Sequence, residues 1–196
     1  MMTEMNHKQV LGIVGSPRHG GNTEILVDEV LRGAEEAGAQ AEKVILSKLD
    51  IGPCRGCDGC RKNGTCVQQD DMPALLKQME RSQVWVLGTP VYWWGPTAQF
   101  KAFLDRWYGV QCGANRGAMF EGQRTILVIP LEDTYEDTAR HTTGMLQDVM
   151  AYLKMEHFAT ILATGVLDRG EVREHPDVLA KAHRAGREAI ASKDQR

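Results

Sequence analysis

The stretch Val10-Leu11-Gly12-Ile13-Val14-Gly15-Ser16-Pro17-Arg18-His19-Gly20-Gly21-Asn22-Thr23 passes from a short apolar run into a loop of glycines, hydroxyls and one arginine. A helical pattern then takes over at 23–37, with Asn22 or Thr23 available to cap its first amides. The run at 10–14 is apolar on both faces, which suits a strand of a parallel sheet covered by helices on both sides. Similar runs are Val44-Ile45-Leu46, Val84-Trp85-Val86-Leu87, residues 125–129 and Thr160-Ile161-Leu162-Ala163. Between them, Asp70-Asp71-Met72-Pro73 opens a second helix, with acids and a proline in its first turn. A third follows Pro96, where Phe100, Phe103, Leu104 and Trp107 recur at spacings of three and four, and residues 134–155 and 177–190 complete the set. Strands alternating with helices through right-handed crossovers predict an α/β fold with a doubly wound, five-stranded parallel sheet.

Composition agrees with one ordinary globular domain over residues 1–196. The chain has 196 residues, 42% hydrophobic and 25% charged, which excludes a disordered polymer. Lys plus Arg is 23 and Asp plus Glu is 26, a net charge of −3 that argues against a nucleic-acid partner. No apolar run approaches the roughly 18 residues that span a bilayer, so no membrane association is expected. Residues 1–8 are polar and carry no hydrophobic centre, so the expected compartment is the cytoplasm.

The loop at 15–23 can receive an anion, because a helix N-terminus presents unpaired amides and a partial positive charge. Ser16, Asn22 and Thr23 add neutral donors, and Arg18 adds a cation suited to phosphate. A Walker loop is excluded, since Gly21-Asn22-Thr23 stands where its lysine would be. The dinucleotide fingerprint is excluded too, because Gly15, Gly20 and Gly21 do not have its spacing. A single phosphate monoester remains, beside the plain alternative of a glycine-rich turn with no ligand. After the third strand comes Gly88-Thr89-Pro90-Val91-Tyr92-Trp93-Trp94-Gly95-Pro96. In the strand order 2-1-3-4-5, the ends of strands one and three flank the switch point where ligands sit. An aromatic loop there could wall a flat ring and offer backbone groups to its polar edge. Taken singly, Trp93 and Trp94 read equally well as core or subunit-contact aromatics.

Gly15-Ser16-Pro17-Arg18 with Gly21-Asn22-Thr23, and Thr89-Pro90-Val91-Tyr92 with Phe100-Lys101-Ala102-Phe103-Leu104-Asp105-Arg106, resemble the NADPH-dependent FMN reductase family. Gly165-Val166 through Gly170, then His175-Pro176, extend the resemblance over nearly the whole chain. It implies a flavodoxin-like three-layer α/β/α sandwich, non-covalent FMN, NAD(P)H as a co-substrate and a homo-oligomer, dimeric or tetrameric. It also implies that Ser16, Arg18, Asn22 and Thr23 hold the phosphate, and that Thr89, Pro90, Val91, Tyr92, Trp93, Trp94 and Gly95 surround the ring. The turn near Glu132 and Asp133 is expected to approach the flavin without a motif that names contacts.

Residues 48–69 form the only long stretch with neither strand nor helix periodicity, and such loops are usually functional. Four of the five cysteines lie in it, as Cys54-x2-Cys57-x2-Cys60-x5-Cys66. In a reducing compartment such a cluster reads as metal or redox chemistry. Three thiolates two residues apart can ligate three corners of a [4Fe-4S] cube, with Gly64 turning Cys66 back to the fourth. Gly56 and Gly59 would keep the backbone small there, and Arg55, Arg61 and Lys62 would offer positive charge. The motif resembles that of the iron-sulfur flavoproteins, which implies electron transfer between a cubane and FMN and a ferredoxin-like donor. A four-thiolate zinc site, a C-x-x-C redox disulfide and a metal-free loop stay open as alternatives. Cys112, standing alone, reads as a small buried hydrophobe.

The function expected is therefore that of an FMN-dependent oxidoreductase moving electrons between a [4Fe-4S] cluster and FMN. A cluster-free NAD(P)H:FMN or quinone reductase, a non-catalytic electron carrier and a flavin-free zinc module are the competing readings.

Overall fold

A computed structural model describes residues 8–114 and 117–192 of the chain. Residues 1–7, part of the polar segment read as lacking a leader, lie outside the described residues. The sheet consists of β1 (Gln9–Val14), β2 (Gln40–Ile45), β3 (Val84–Gly88), β4 (Arg124–Pro130) and β5 (Glu156–Ala163). All neighbours are parallel, in the order β2-β1-β3-β4-β5. The helices are α1 (Asn22–Glu36), α2 (Gly59–Asn63), α3 (Met72–Arg81), α4 (Ala98–Asp105), α5 (Trp107–Gln111), α6 (Arg140–Tyr152) and α7 (Pro176–Ala191).

Because side chains alternate along a strand, the central strands feed two separate cores. Val10, Val14, Val84, Val86, Ile126, Val128 and Ile161 pack with apolar residues of α1 and α7. Leu11, Ile13, Trp85, Leu87, Leu127 and Ile129 pack on the other face, with α3, α4, α5 and α6. The result is the flavodoxin-like three-layer sandwich that the sequence predicts. Under α4 and α5 the core is aromatic: Trp107 sits 5.4 Å from Phe103 and 5.0 Å from Phe120, centroid to centroid.

On the first face, α1 and α7 approach at glycines. A Cβ on Gly33 would lie 1.9 Å from the His183 carbonyl oxygen, and one on Gly186 would lie 1.9 Å from that of Val30. Two backbones this close exclude any side chain at either position.

Several boundaries differ from the sequence reading, each for a physical reason. β2 starts at Gln40 and ends before Leu46, which enters a 3-10 turn. As an edge strand it exposes Gln40, Glu42 and Lys43, so it carries no apolar run to betray its start. β5, the other edge, likewise begins four residues early, at Glu156. The helix expected over 134–155 is a 3-10 turn, Glu136–Ala139, followed by α6. The pattern after Pro96 breaks at Arg106 into α4 and α5. Neither Asn22 nor Thr23 caps α1: the cap position is Gly21, and Asn22 is already helical.

The glycine contact reverses an ordinary rule. Gly→Ala within a helix normally stabilises by about 1 kcal/mol. Gly186→Ala is expected instead to destabilise by at least the roughly 1–3 kcal/mol of an overpacked core, read as a lowered chemical-denaturation midpoint. A midpoint equal to or above that of the parent protein would contradict the packing.

Candidate functional site

The loops at the carboxyl ends of the strands meet in one crevice. Gly15 N–H donates to Gly88 O at 2.7 Å, tying the end of β1 to the end of β3. A Cβ on Gly15 would lie 2.7 Å from the Phe100 ring and 3.0 Å from Gly88 O, so only glycine permits this approach. Thr97, buried at the N-cap of α4, adds a second tie through a 2.6 Å hydrogen bond from its hydroxyl to Gly15 O. A cleft of about 170 Å³ lies between the loops. Ser16, Arg18, Asn22 and Thr23 line one wall, and Pro90, Val91 and Tyr92 another. The turns after β4 and β5 close it with Pro130, Leu131, Glu132, Val166 and Leu167.

In α1 the first intrahelical bond is Ile25 N–H to Gly21 O, so the amides of Asn22, Thr23 and Glu24 precede the helical ladder. The Gly20 amide is already used, donating to the Glu24 carboxylate at 2.7 Å. Burial would raise that carboxyl, but hydrogen bonds from Lys43 and Gly20 outweigh it and hold Glu24 below the usual carboxylate range. The Asn22 side chain is also spent. Its Nδ2 donates to Asp168 O at 2.9 Å and Val166 O at 3.3 Å, and its Oδ1 accepts from Val172 N–H. Asn22 can thus offer an anion its backbone amide, while its side chain stitches α1 to the turn after β5. Arg18 reaches the same turn, donating from Nη1 to Leu167 O at 2.9 Å. Sequence reasoning named Gly165 to Gly170 only as a motif, and these tethers bring that turn into the cleft wall.

The loop after β3 divides into support and display. Thr89 is fully buried, and its Oγ1 accepts from Thr97 N–H, so it braces the loop. Tyr92 and Gly95 exchange backbone hydrogen bonds of 2.8 and 3.0 Å around Trp93 and Trp94. Both tryptophans have left-handed backbones, with φ of 49° and 61°. That is a type I′ turn, which normally takes Asn-Gly. Each non-glycine residue so placed costs roughly 1–2 kcal/mol. The strained turn holds Trp93 at 91% exposure and Trp94 at 50%, outside the cleft lining. The Thr142 hydroxyl donates to Trp94 O and pins the hairpin to α6.

The cysteine loop makes a second candidate site. Gly64, at φ 76°, ends α2 and turns the chain as its spacing predicts. Gly56 also has positive φ with no neighbour crowding it, whereas a Cβ on Gly59 would press Val67 at 2.7 Å. Cys54, Cys57, Cys60 and Cys66 line one small cavity of about 20 Å³, with Arg55, Arg106, Tyr108 and Gly109 among the other walls. All five cysteines are free thiols. Among the described residues, no three of the His, Cys, Asp and Glu side chains are gathered tightly enough to hold a metal ion. Burial pushes the Cys60 thiol up. Arg61 and Lys62 point outward on α2 and do not line the cavity, so the cation set differs from the one expected. Its buried member is Arg106, which the sequence reading quoted without a role. Its hydrogen bonds hold the Asp70 carboxyl below the usual range. Cys112 is partly exposed beside Tyr108, not fully buried as its solitary position suggests.

Residues 9–167 match the NADPH-dependent FMN reductase family. An iron-sulfur flavoprotein of Methanocaldococcus jannaschii is 42% identical over 98 residues, which make up 50% of this chain and 51% of that protein. The chain therefore spans about half the length of the curated relatives it matches. Among solved structures, an NAD(P)H:quinone oxidoreductase from Methanothermobacter marburgensis aligns with a TM-score of 0.69 at 18% identity, covering 93% of this chain and 94% of that one. The Trp repressor binding protein from Bacillus subtilis aligns with a TM-score of 0.70 at 19% identity, covering 91% and 98%. Both likenesses concern the fold. The family match runs from β1 to the turn after β5, through every loop that lines the cleft, and the chain belongs to the NADPH-dependent FMN reductase family.

Proposed function

We propose that the chain is an FMN-dependent oxidoreductase of the iron-sulfur flavoprotein type, taking electrons from NAD(P)H or a ferredoxin-like carrier. The observation that carries this reading is the single cleft in which Ser16, Arg18 and the first amides of α1 stand opposite Pro90, Val91 and Tyr92. The donor set fits one phosphate monoester joined to a flat ring. FMN, when bound, supplies the redox chemistry by accepting electrons in pairs or singly. The chain's residues do the rest. The α1 amides and the Ser16 hydroxyl would fix the phosphate, and Arg18 would exchange its Leu167 carbonyl for the anion. Pro90, Val91 and Tyr92 would shield one side of the ring from water.

The cysteine loop supports the second part of the reading. Four sulfur donors share one cavity, and Gly109 gives it a bare backbone wall: a Cβ there would lie 3.5 Å from Cys66 Cβ and 3.9 Å from Cys60 Cβ. An all-sulfur donor set at this spacing suits a [4Fe-4S] cluster, which passes one electron at a time, and the loop would have to open from its cavity of about 20 Å³ to admit it. A lone zinc ion would need its four thiolates within about 3.8 Å of one another, given a Zn–S bond near 2.3 Å.

The assembled protein in this reading is a homo-oligomer. The exposed Trp93-Trp94 hairpin and an apolar groove between α4–α5 and α6, lined by Leu104, Trp107, Tyr108, Met145, Val149 and Leu153, favour it. No helix among the described residues is long and apolar enough to cross a membrane. A cluster of four cysteines within thirteen residues suits a reducing compartment such as the cytoplasm.

Protein purified without oxygen is expected to carry FMN with about four irons and four acid-labile sulfides per chain. Arg18→Ala should weaken FMN roughly 10–100-fold, the worth of one charged hydrogen bond, and leave iron unchanged. Flavin without iron or sulfide would favour the cluster-free reductase, and protein that takes up no FMN would overturn the reading.

Trp93→Asn combined with Trp94→Gly should shift size-exclusion elution toward the monomer and, compared at a dilution where both proteins are monomeric, raise the thermal midpoint by relieving the left-handed turn. A lowered midpoint would mean that the turn is not strained.

A further inference from the structure

Arg106 is an arginine with almost no contact with water, placed where α4 breaks into α5. Its residue exposure is 2%. Its Nη1 donates to Gly52 O at 2.9 Å and to Asp70 Oδ2, and its Nη2 donates to Asp70 Oδ1 at 3.1 Å and Cys66 Sγ at 3.5 Å. These partners lie on both arms of the cysteine loop, before Cys54 and after Cys60, so one guanidinium clasps the loop at its base. Asp70 is positioned in turn: Oδ1 also accepts from Met72 N–H, and its side chain is 8% exposed. Asp71 closes the strand of chain beside it, accepting from Asp50 N–H at 2.7 Å.

One donor is left over. Arg106 Nε is buried and has no acceptor among the described residues. Leaving a charged donor unpaired in the interior is costly, and native structures rarely tolerate it without a reason. Arg106 also lines the cavity shared by the four cysteines. A group rich in sulfide and thiolate would be an acceptor for such a donor, and it would gain negative charge on reduction.

We propose that Arg106 is the positioning and tuning residue of the cysteine site, its buried charge favouring the reduced form of the cluster while its hydrogen bonds fix Cys66. This rests on the cluster reading above. Asp70 opposes that charge and moderates it. Hydrogen bonds and charge around the sulfurs are among the recognised controls of cluster potential. The same residue ends α4, whose N-cap Thr97 holds the cleft loops together, so a single helix of eight residues carries one contact to each site.

The test is potentiometric titration of the anaerobic holoprotein, followed by the electron paramagnetic resonance of the reduced cluster and the absorbance of FMN. Asp70→Asn leaves the guanidinium uncompensated and should raise the cluster midpoint. The paired variant Arg106→Met with Asp70→Asn removes both charges, so it leaves no lone carboxylate to disrupt folding. Relative to Asp70→Asn it should lower the one-electron reduction equilibrium about tenfold, or about 59 mV. The FMN midpoint should stay fixed in both. A merely structural clasp would not move the two variants apart in this direction. Equal midpoints, or displacement opposite to that stated, would overturn the proposal, and if the paired variant does not fold, an unmoved midpoint in Asp70→Asn does so alone. Wild-type protein with neither iron nor sulfide overturns the cluster reading itself, and this proposal with it. A loaded wild type with unmoved variants overturns only the role of Arg106.

Discussion

Thr97 donates its hydroxyl to Gly15 O, accepts from Phe100 N–H to start α4, and has its own amide held by Thr89 Oγ1. These three bonds are buried, so each is protected from exchange with water, and breaking one would strand a polar group in the core. Together with Gly15 N–H on Gly88 O, they fix the distance between the loop after β1 and the loop after β3. Everything attributed to the cleft depends on that distance. A parallel sheet with this strand order puts the two loops side by side, but only a residue without a side chain at Gly15 lets them touch.

The two sites are built by different means. At the cleft, most side-chain polar groups are committed to tethering loops to one another, so an anion would be met chiefly by backbone amides and a displaceable arginine. At the cysteine loop the backbone is irregular, with positive φ at Gly56, Asp58 and Gly64. Its shape is imposed from outside by Arg106, Asp70 and the hydrogen bond from Gln68 Nε2 to Pro53 O. A loop of that kind has little stability of its own, and the clasp is what keeps four thiols around one cavity.

The fold was legible because three central strands are apolar on both faces, and the period changes cleanly to 3.6 in α1, α3 and α7. The edges were less so. Gln40 and Glu156 begin strands whose exposed faces carry polar residues, and no hydrophobic alternation marks them. For the candidate cleft, the lining by Ser16, Arg18, Asn22, Thr23 and Pro90 to Tyr92 was readable, since loops at strand ends carry their polar and aromatic groups in short continuous segments. Val166, Leu167 and Arg106 were not. Their importance comes from contacts made 149 residues away from Arg18 and 36 residues away from Asp70, which no local pattern encodes. The left-handed Trp93-Trp94 turn was hidden for another reason: the pair is so poor a fit to a type I′ turn that propensity argues against it.

The most direct measurement of the central claim is a crystal structure of the chain with FMN. The account predicts the phosphate within hydrogen-bond distance of the Thr23 amide and the Ser16 hydroxyl, the ring against Pro90 and Tyr92, and the Thr97–Gly15 bond intact. A flavin bound away from the end of β1, or a Thr97–Gly15 bond broken to admit it, would contradict the account.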